Sequence, residues 1–584
     1  MTDHAFDPAQ QEYLKGFWAG IEARRGTLAP EGTGSGAGAG TGGMPPDALR
    51  AAQDAALAAG GTLTPQEAMK RERHPLDRWG EITARAAAGR FPKPLEDFAG
   101  RWHGLFYVAP AEDAFMCRLR IPGGILSAHQ MERVAAIAGE LAGGHADITT
   151  RANLQLRGIG AAHGPEVVMR LGEIGLLPRG TGADNIRNIT ASPTAGIDPQ
   201  ALIDPRPIVR ALHRHILNAR DLSGLPRKFN IAVGGGGLVE VLEETNDIAL
   251  AAVRVAEGHG LPPVCFRLNL GGITGHRDFA RATGVVVPPA DAVAVCDAVL
   301  RVFIAHGDRT DRKRARLKYL LDAWGIGRFL AEVEAVLGRA LARVPEAAVA
   351  APRPPAKHGH VGIHAQAQPG LRWIGVVLPV GRLTAAQMRG LAAVAAGCGS
   401  GEIRLTVWQN LLLPGIPDGR LDEARDALRA LDLGWEASTI RGGLVACTGN
   451  AGCRFAASDT KRHALELAEF LEARIAAPAP VNIHLTGCHH SCAQHYVADI
   501  GLLGAKVERG EELIEGYDLH VGGGAGPEQR IGRLILPRLA AEAVGPHVLA
   551  LLRAWQAAGD ARFQDFCAAR DDAALAAIAA EGAA

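Results

Sequence analysis

The chain has 584 residues, 47% of them hydrophobic, with 62 Lys and Arg set against 62 Asp and Glu. That length allows about four domains, the apolar share supplies a sizeable core, and zero net charge argues against a general nucleic-acid or membrane-surface binder. No run of eighteen apolar residues occurs, so no membrane span is expected. The acidic, polar start MTDHAFDPAQQEYLKG lacks a signal-peptide pattern, so a cytoplasmic location is expected.

Residues 8–25 place apolar groups at helical spacing, and residues 32–43 hold seven glycines in twelve positions. A tether of that composition reaches roughly 20 Å. A charged, helical stretch is expected from Pro46 to Arg90, and a Pro-, Gly- and His-rich break covers Ala351 to Gly370. The regions flanking that break are related. Ile121–Ile159 aligns without a gap to Leu378–Ile416, with 16 of 39 positions identical. Each copy reads as turn, helix capped by Ser127 or Thr384, loop, and alternating strand. Further on, DNIR at 184–187 matches STIR at 438–441, and Asn230–Ile248 matches Asn482–Ile500 in length. The chain is therefore an internal duplication, expected to form a pseudo-twofold pair of α+β halves with a site between them.

Where the copies differ, chemistry is expected. The N-terminal copy holds Arg151, Arg157 and the pair Arg227-Lys228, with Trp408 and Pro414 opposite the first two. The C-terminal copy holds Cys447-x5-Cys453 and Cys488-x3-Cys492, opposite whose second pair stand Gly236 and Glu240. Four cysteines so paired suit zinc or an iron–sulfur cluster. A five-residue gap is outside the usual zinc knuckle, and adjacent His489 and His490 can hardly both reach one tetrahedral metal, so a cluster is favoured over zinc or free thiols. The other five cysteines (Cys117, Cys265, Cys296, Cys398, Cys567) lie singly in apolar stretches and read as small core residues. Arg118 and Arg120 alternate as on one face of a strand, and Arg309, Arg312, Lys313 and Arg316 are expected on one helical face. Concentrated cations of this kind suit carboxylates and small oxyanions.

At these motifs the chain resembles the sirohaem-dependent nitrite and sulfite reductases, from about Gln11 onward. The resemblance implies an internally duplicated, multi-lobed α+β fold carrying sirohaem and a 4Fe-4S cluster. Its domains would be a helix and tether (1–46), a helical segment with a first ferredoxin-like half-domain (47–170), and a first α/β sirohaem-binding domain (171–350). A linker (351–370), a second ferredoxin-like half-domain (371–435) and a second α/β domain with the cluster cysteines (436–584) would follow. By resemblance Cys447, Cys453, Cys488 and Cys492 hold the cluster, and Cys492 bridges to the sirohaem iron. Arg151, Gln155, Arg227, Arg309 and Lys313 would bind sirohaem. Arg118, Arg187, Lys228 and Asn230 would act on substrate. The family's nitrite reducers read R-K-F-N where sulfite reducers read R-K-F-K, and this chain has Arg227-Lys228-Phe229-Asn230. CTGNAGC, DTK at 459–461 and ASPTAGID are also of the nitrite type. His489-His490 and Gly452 depart from the family's usual residues. The expected activity is six-electron reduction of nitrite to ammonia; the alternatives are a sulfite reductase haemoprotein and a cobalamin-pathway relative with the same cofactors. Residues 234–237 are GGGG rather than a Gly-x-Gly-x-x-Gly fingerprint, so electrons are expected from ferredoxin or a reductase flavoprotein.

Overall fold

The computed structural model describes residues 48–581; the expected N-terminal helix and Gly-rich tether lie outside the described residues. The charged stretch forms short helices, Ala48–Ala58, Pro65–Glu72 and Trp79–Ala87. Thr64 caps the second by accepting the Glu67 amide, and Pro65 sits at its first turn, where a missing N–H costs nothing. No helix of the described residues is long and apolar enough to cross a membrane.

The aligned 39-residue copies fold alike. Helix Ala128–Leu141 starts in a capping box of Ser127 and Gln130, and helix Ala385–Cys398 in one of Thr384 and Gln387. Each helix lies on an antiparallel five-stranded sheet, and the two sheets exchange edge strands. Arg382–Thr384 from the second copy pairs with His145–Thr149 of the first, and Ile125–Ser127 from the first pairs with Glu402–Leu405 of the second. The exchange demands close backbone approach at the crossing. Gly124 (φ +73°) would place a Cβ 2.6 Å from the Leu405 carbonyl oxygen, and its counterpart Gly381 (φ +75°) one 2.8 Å from that of Ile148. Met131, Val134 and Ile137 join Met388, Leu391 and Ala395 in a single core. The two halves are therefore fixed face to face.

The remaining sheets also repeat. Thr190–Ala191, Ile231–Gly234 and Ile248–Val255 run parallel, followed by antiparallel Val264–Leu270 and Arg281–Val287. Leu444–Ala446, Ile483–Thr486 and Ile500–Arg509 run parallel, followed by antiparallel Glu512–Val521 and Arg533–Ala540. Each sheet has its own apolar core. Asp247 accepts the Asn230 amide at 2.8 Å and Asp499 accepts the Asn482 amide at 2.6 Å, so the duplication extends to single polar contacts. All five singly placed cysteines are buried. Two local expectations differ. The strand holding Arg118 ends there, so Arg120 leaves the sheet; and residues 308–316 form turns between helices Ala292–His306 and Leu317–Leu337, not a helical face.

Asp147 is the polar hub of the exchange. Arg382 on the exchanged strand donates to it at 3.0 Å, Arg157 Nε lies at 3.3 Å and Lys461 Nζ at 3.6 Å. Burial works to raise its pKa, but Lys461 and Arg382 hold the carboxyl far below the usual carboxylate range. A depressed folded-state pKa contributes stability that is present above the unfolded value of about 4 and lost as pH falls. Asp147→Asn should cost roughly 3–5 kcal/mol by stranding buried cations. Urea unfolding measured from pH 7 downward should also show a shallower acid loss in the variant.

Candidate active site

Ala446 and Leu485 are partners in parallel strands, so the carboxyl ends of the two strands lie side by side, where open α/β sheets place ligands. Cys447 follows one strand directly, and Cys488 follows the other after Gly487. The Gly487 amide donates to Cys447 Sγ at 3.2 Å, and Thr460 Oγ1 lies 3.4 Å from the same sulfur. A Cβ on Gly487 would sit 2.5 Å from that of Ala456, so the two cysteine loops close up only around glycine. Burial pushes the Cys488 thiol up to about 12 and also raises Cys492, and the charges of the other cysteines add to both shifts. Thiols so placed ionise readily only against a cationic metal. Among the described residues no three His, Cys, Asp or Glu converge tightly enough to hold one metal ion. Four thiols on two adjacent loops are the donor set of a metal–sulfur cluster.

Cys492 has exposed surface, yet burial is the leading cause of its raised pKa. Its open side therefore faces a crevice rather than the exterior. Thr150 Oγ1, from the first copy, donates to the Cys492 carbonyl at 2.8 Å. Arg157 crosses the same boundary, donating to the Gly452 carbonyl at 3.1 Å and to Thr448 Oγ1 at 2.8 Å. The cysteine loops of one copy are thus pinned to the first copy's turn at Thr150 and to Arg157 on the strand that follows it.

The expected cations gather opposite. Arg118 and Gln155 are cross-strand partners, so they share a sheet face, and Gln155 Oε1 accepts from Arg157 at 3.0 Å. Arg118, Arg151 and Lys228 all lie within electrostatic reach of Cys492. Burial lowers the pKa of Arg118, Arg151 and Arg227 to about 10 and takes Arg187 well below its ordinary value. Burial, followed by Arg316, brings the Lys228 ammonium down to about 7. Little protein anion offsets this charge. Arg151 donates to Asn246 Oδ1 at 2.9 Å, and Arg187 Nη2 to the Ala183 carbonyl at 2.9 Å. Arg187 Nη1 and Asn230 Oδ1 are buried without a hydrogen-bond partner. The Lys228 and Arg227 side chains make no hydrogen bond or ion pair with described residues. Cations without carboxylate partners beside four thiols suit a polycarboxylate and a small oxyanion, the chemistry of the expected sirohaem and its substrate.

Two expected residues are not brought there. Arg309 is 3% exposed and engaged elsewhere, pairing with Glu67 at 3.0 Å and donating to the Gly224 and Ile304 carbonyls, with its Nε alone left without a partner. Lys313 is exposed on the 308–316 turns, its side chain unpaired among described residues. Arg316, from the same run, does act on the site: it pairs with Asp247 at 2.8 Å and its charge bears on Lys228 and Arg151. The adjacency of Asn246 and Asp247 was the available signal for that role. On the opposite side of the pseudo-twofold, Trp408 stands for Arg151. Its Nε1 donates to the Glu240 carbonyl at 3.2 Å, and its ring stacks on His360 with centroids 5.5 Å apart, His484 lying edge-on.

Known proteins share this arrangement. A family profile described as the nitrite and sulphite reductase 4Fe-4S domain matches residues 182–341 and 437–568. Another, described as the nitrite/sulfite reductase ferredoxin-like half domain, matches 109–174 and 364–431. The ferredoxin–nitrite reductase of Synechococcus elongatus is 38% identical, over 76% of this chain and 86% of its own. The chloroplastic ferredoxin–nitrite reductase of Zea mays is 35% identical, over 80% and 85%. A sulfite reductase [ferredoxin] of Mycolicibacterium paratuberculosis is 34% identical, over 79% and 83%. The solved Mycobacterium tuberculosis NirA protein superposes with a TM-score of 0.82 at 29% identity, covering 89% of this chain and 99% of that one.

Serine at Cys447, Cys453, Cys488 or Cys492 should strip iron and acid-labile sulfide from the purified chain, while Cys296→Ser, in the core, should leave both in place. Iron and sulfide analysis decides it; zinc with no sulfide would refute the cluster.

Proposed function

This chain belongs to the nitrite and sulphite reductase family, and from that footing we propose that it is a ferredoxin-dependent nitrite reductase converting nitrite to ammonia. It is an oxidoreductase of the sirohaem and 4Fe-4S type. The observation that carries the nitrite reading is the set of cations without carboxylate partners, Lys228 and Arg118 beside Cys492 and Arg187 next to Arg118.

Sirohaem coupled to the cluster would supply the redox chemistry, passing on electrons from an external donor. The protein supplies the rest. Cys447, Cys453, Cys488 and Cys492 would hold the cluster, Cys492 being the one beside the cations Lys228 and Arg118. Arg151, steadied by Asn246, together with Arg227 and Gln155, would bind the carboxylates of the macrocycle. Arg118, Arg187 and Lys228 bind the substrate oxygens through charge-assisted hydrogen bonds, which strengthen as negative charge develops on them. The overall change, nitrite plus six electrons and eight protons to ammonium and two waters, needs a proton donor near neutrality. With a pKa of about 7, Lys228 Nζ can give up a proton and regain it; the guanidinium of Arg187 holds its proton and orients. A ferredoxin-type donor fits this reading, as does a cytoplasmic setting, since thiolate-held iron and a reduced donor both call for a reducing compartment.

Asn230 supports nitrite over sulfite. It is 4% exposed and its side chain makes no hydrogen bond, whereas its twin Asn482 is engaged by His358 Nε2 at 3.0 Å. A neutral amide beside the cations suits a monoanion better than a dianion. One charge-assisted bond is worth roughly 1.5–3 kcal/mol, so Asn230→Lys should raise the sulfite-to-nitrite ratio of kcat/KM by roughly ten- to a hundredfold. A wild type that already prefers sulfite would overturn the nitrite assignment. Lys228→Arg should keep KM within a few-fold but lower kcat by roughly a hundredfold, and wild-type turnover should fall as pH rises above about 7 and Lys228 loses its proton.

A further inference from the structure

Helix Pro65–Glu72 lies before the first residue matched by either family profile, at 109, yet it reaches beneath the crevice. Lys70 has no exposed side-chain surface. Its ammonium pairs with Glu67, lies 3.3 Å from Asp184 Oδ2 and donates to the Leu225 carbonyl at 3.0 Å. Asp184 is held from the other side by Arg312, which donates to both its oxygens at 2.9 and 2.8 Å. Three residues beyond Asp184 is Arg187, and three beyond Leu225 is Lys228. These two segments are laced together: Phe229 N–H donates to the Asn185 carbonyl at 3.0 Å, and Arg187 N–H to that of Phe229 at 2.7 Å. Lys70 is thus one cation gripping the base of both segments that present substrate-binding cations.

We propose that Lys70 is a positioning residue for oxyanion binding, setting Arg187 through Asp184 and Lys228 through the Leu225 carbonyl. The inference rests on the functional reading above. Buried charges hold their partners in fixed geometry because leaving one unpaired in a dry interior is costly. Arg187 makes one side-chain hydrogen bond, to the Ala183 carbonyl, and Lys228 none with described residues, so their placement depends on the segments that carry them.

The test titrates nitrite into holoenzyme carrying both cofactors, followed by the visible spectrum of the sirohaem, together with KM and kcat. Lys70→Met and Asp184→Asn are compared with Gln53→Leu at the far end of the network, where the hydrogen bonds of Gln53 go only to Glu67, at 2.9 and 3.0 Å. Pure electrostatics predicts opposite signs: removing Lys70 weakens an anion, while neutralising Asp184 tightens it. Positioning predicts the same sign. Both variants should retain sirohaem, bind nitrite about tenfold more weakly and raise KM more than they lower kcat, with Gln53→Leu near wild type. Tighter nitrite binding by Asp184→Asn, unchanged binding in either variant, or an equal loss in Gln53→Leu would overturn the proposal. Should Lys70→Met fail to fold, Asp184→Asn carries the decision alone. A wild type that binds sulfite but not nitrite defeats the substrate reading instead, and the same comparison is then scored with sulfite.

Discussion

Asp147 brings together groups that belong to different parts of the chain: Arg382 on the exchanged strand, Arg157 from its own sheet, and Lys461 from the helix behind the cysteine loop. A buried carboxylate so surrounded cannot relax toward any one of them without abandoning the others. Arg157, held here by Nε, has its other nitrogens free to reach Thr448 and Gly452. The cysteine loop is therefore located relative to the first copy by the same residue that the strand exchange locates. Had the two copies met at another angle, the cations and the thiols would not share a crevice.

The crevice itself is electrostatically unfinished. Arg118, Arg151, Arg187, Arg227 and Lys228 are all held below their ordinary pKa values, burial being the first cause in each. Buried charges beside it are paired: Asp184 with Lys70 and Arg312, Asp247 with Arg316, and Glu67 with Arg309. The contrast is local. Free energy withheld at the site is recovered when an anion enters, which is how a binding site differs from a structural ion pair.

Much of this was legible in the chain. The duplication could be read because 39 residues align without a gap and both helix starts carry the same Ser/Thr and Gln pair. The cysteine pairs were readable because their spacing survives any fold. The strand exchange was not, since each edge strand is only three residues long and its partner lies more than 250 positions away in one case. Arg309 misled for a related reason. A basic run at near-helical spacing looks like one face, but the run is a set of turns, and Arg309 and Lys313 end up in opposite environments. Lys70 belongs to a helix with no motif, so only the folded chain shows what it holds.

The filled twin of the crevice has a consequence for stoichiometry. A duplicated chain would in principle offer two equivalent cavities, one on each side of its pseudo-twofold. Here Trp408 stacks on His360 where the first copy presents Arg151, and its indole N–H is spent on the Glu240 carbonyl, the residue opposite Cys492. Aromatic packing has replaced both the cation and the thiol on that side. The second copy accordingly offers a macrocycle neither that cation nor that thiol, and serves instead as the wall against which the first one is set.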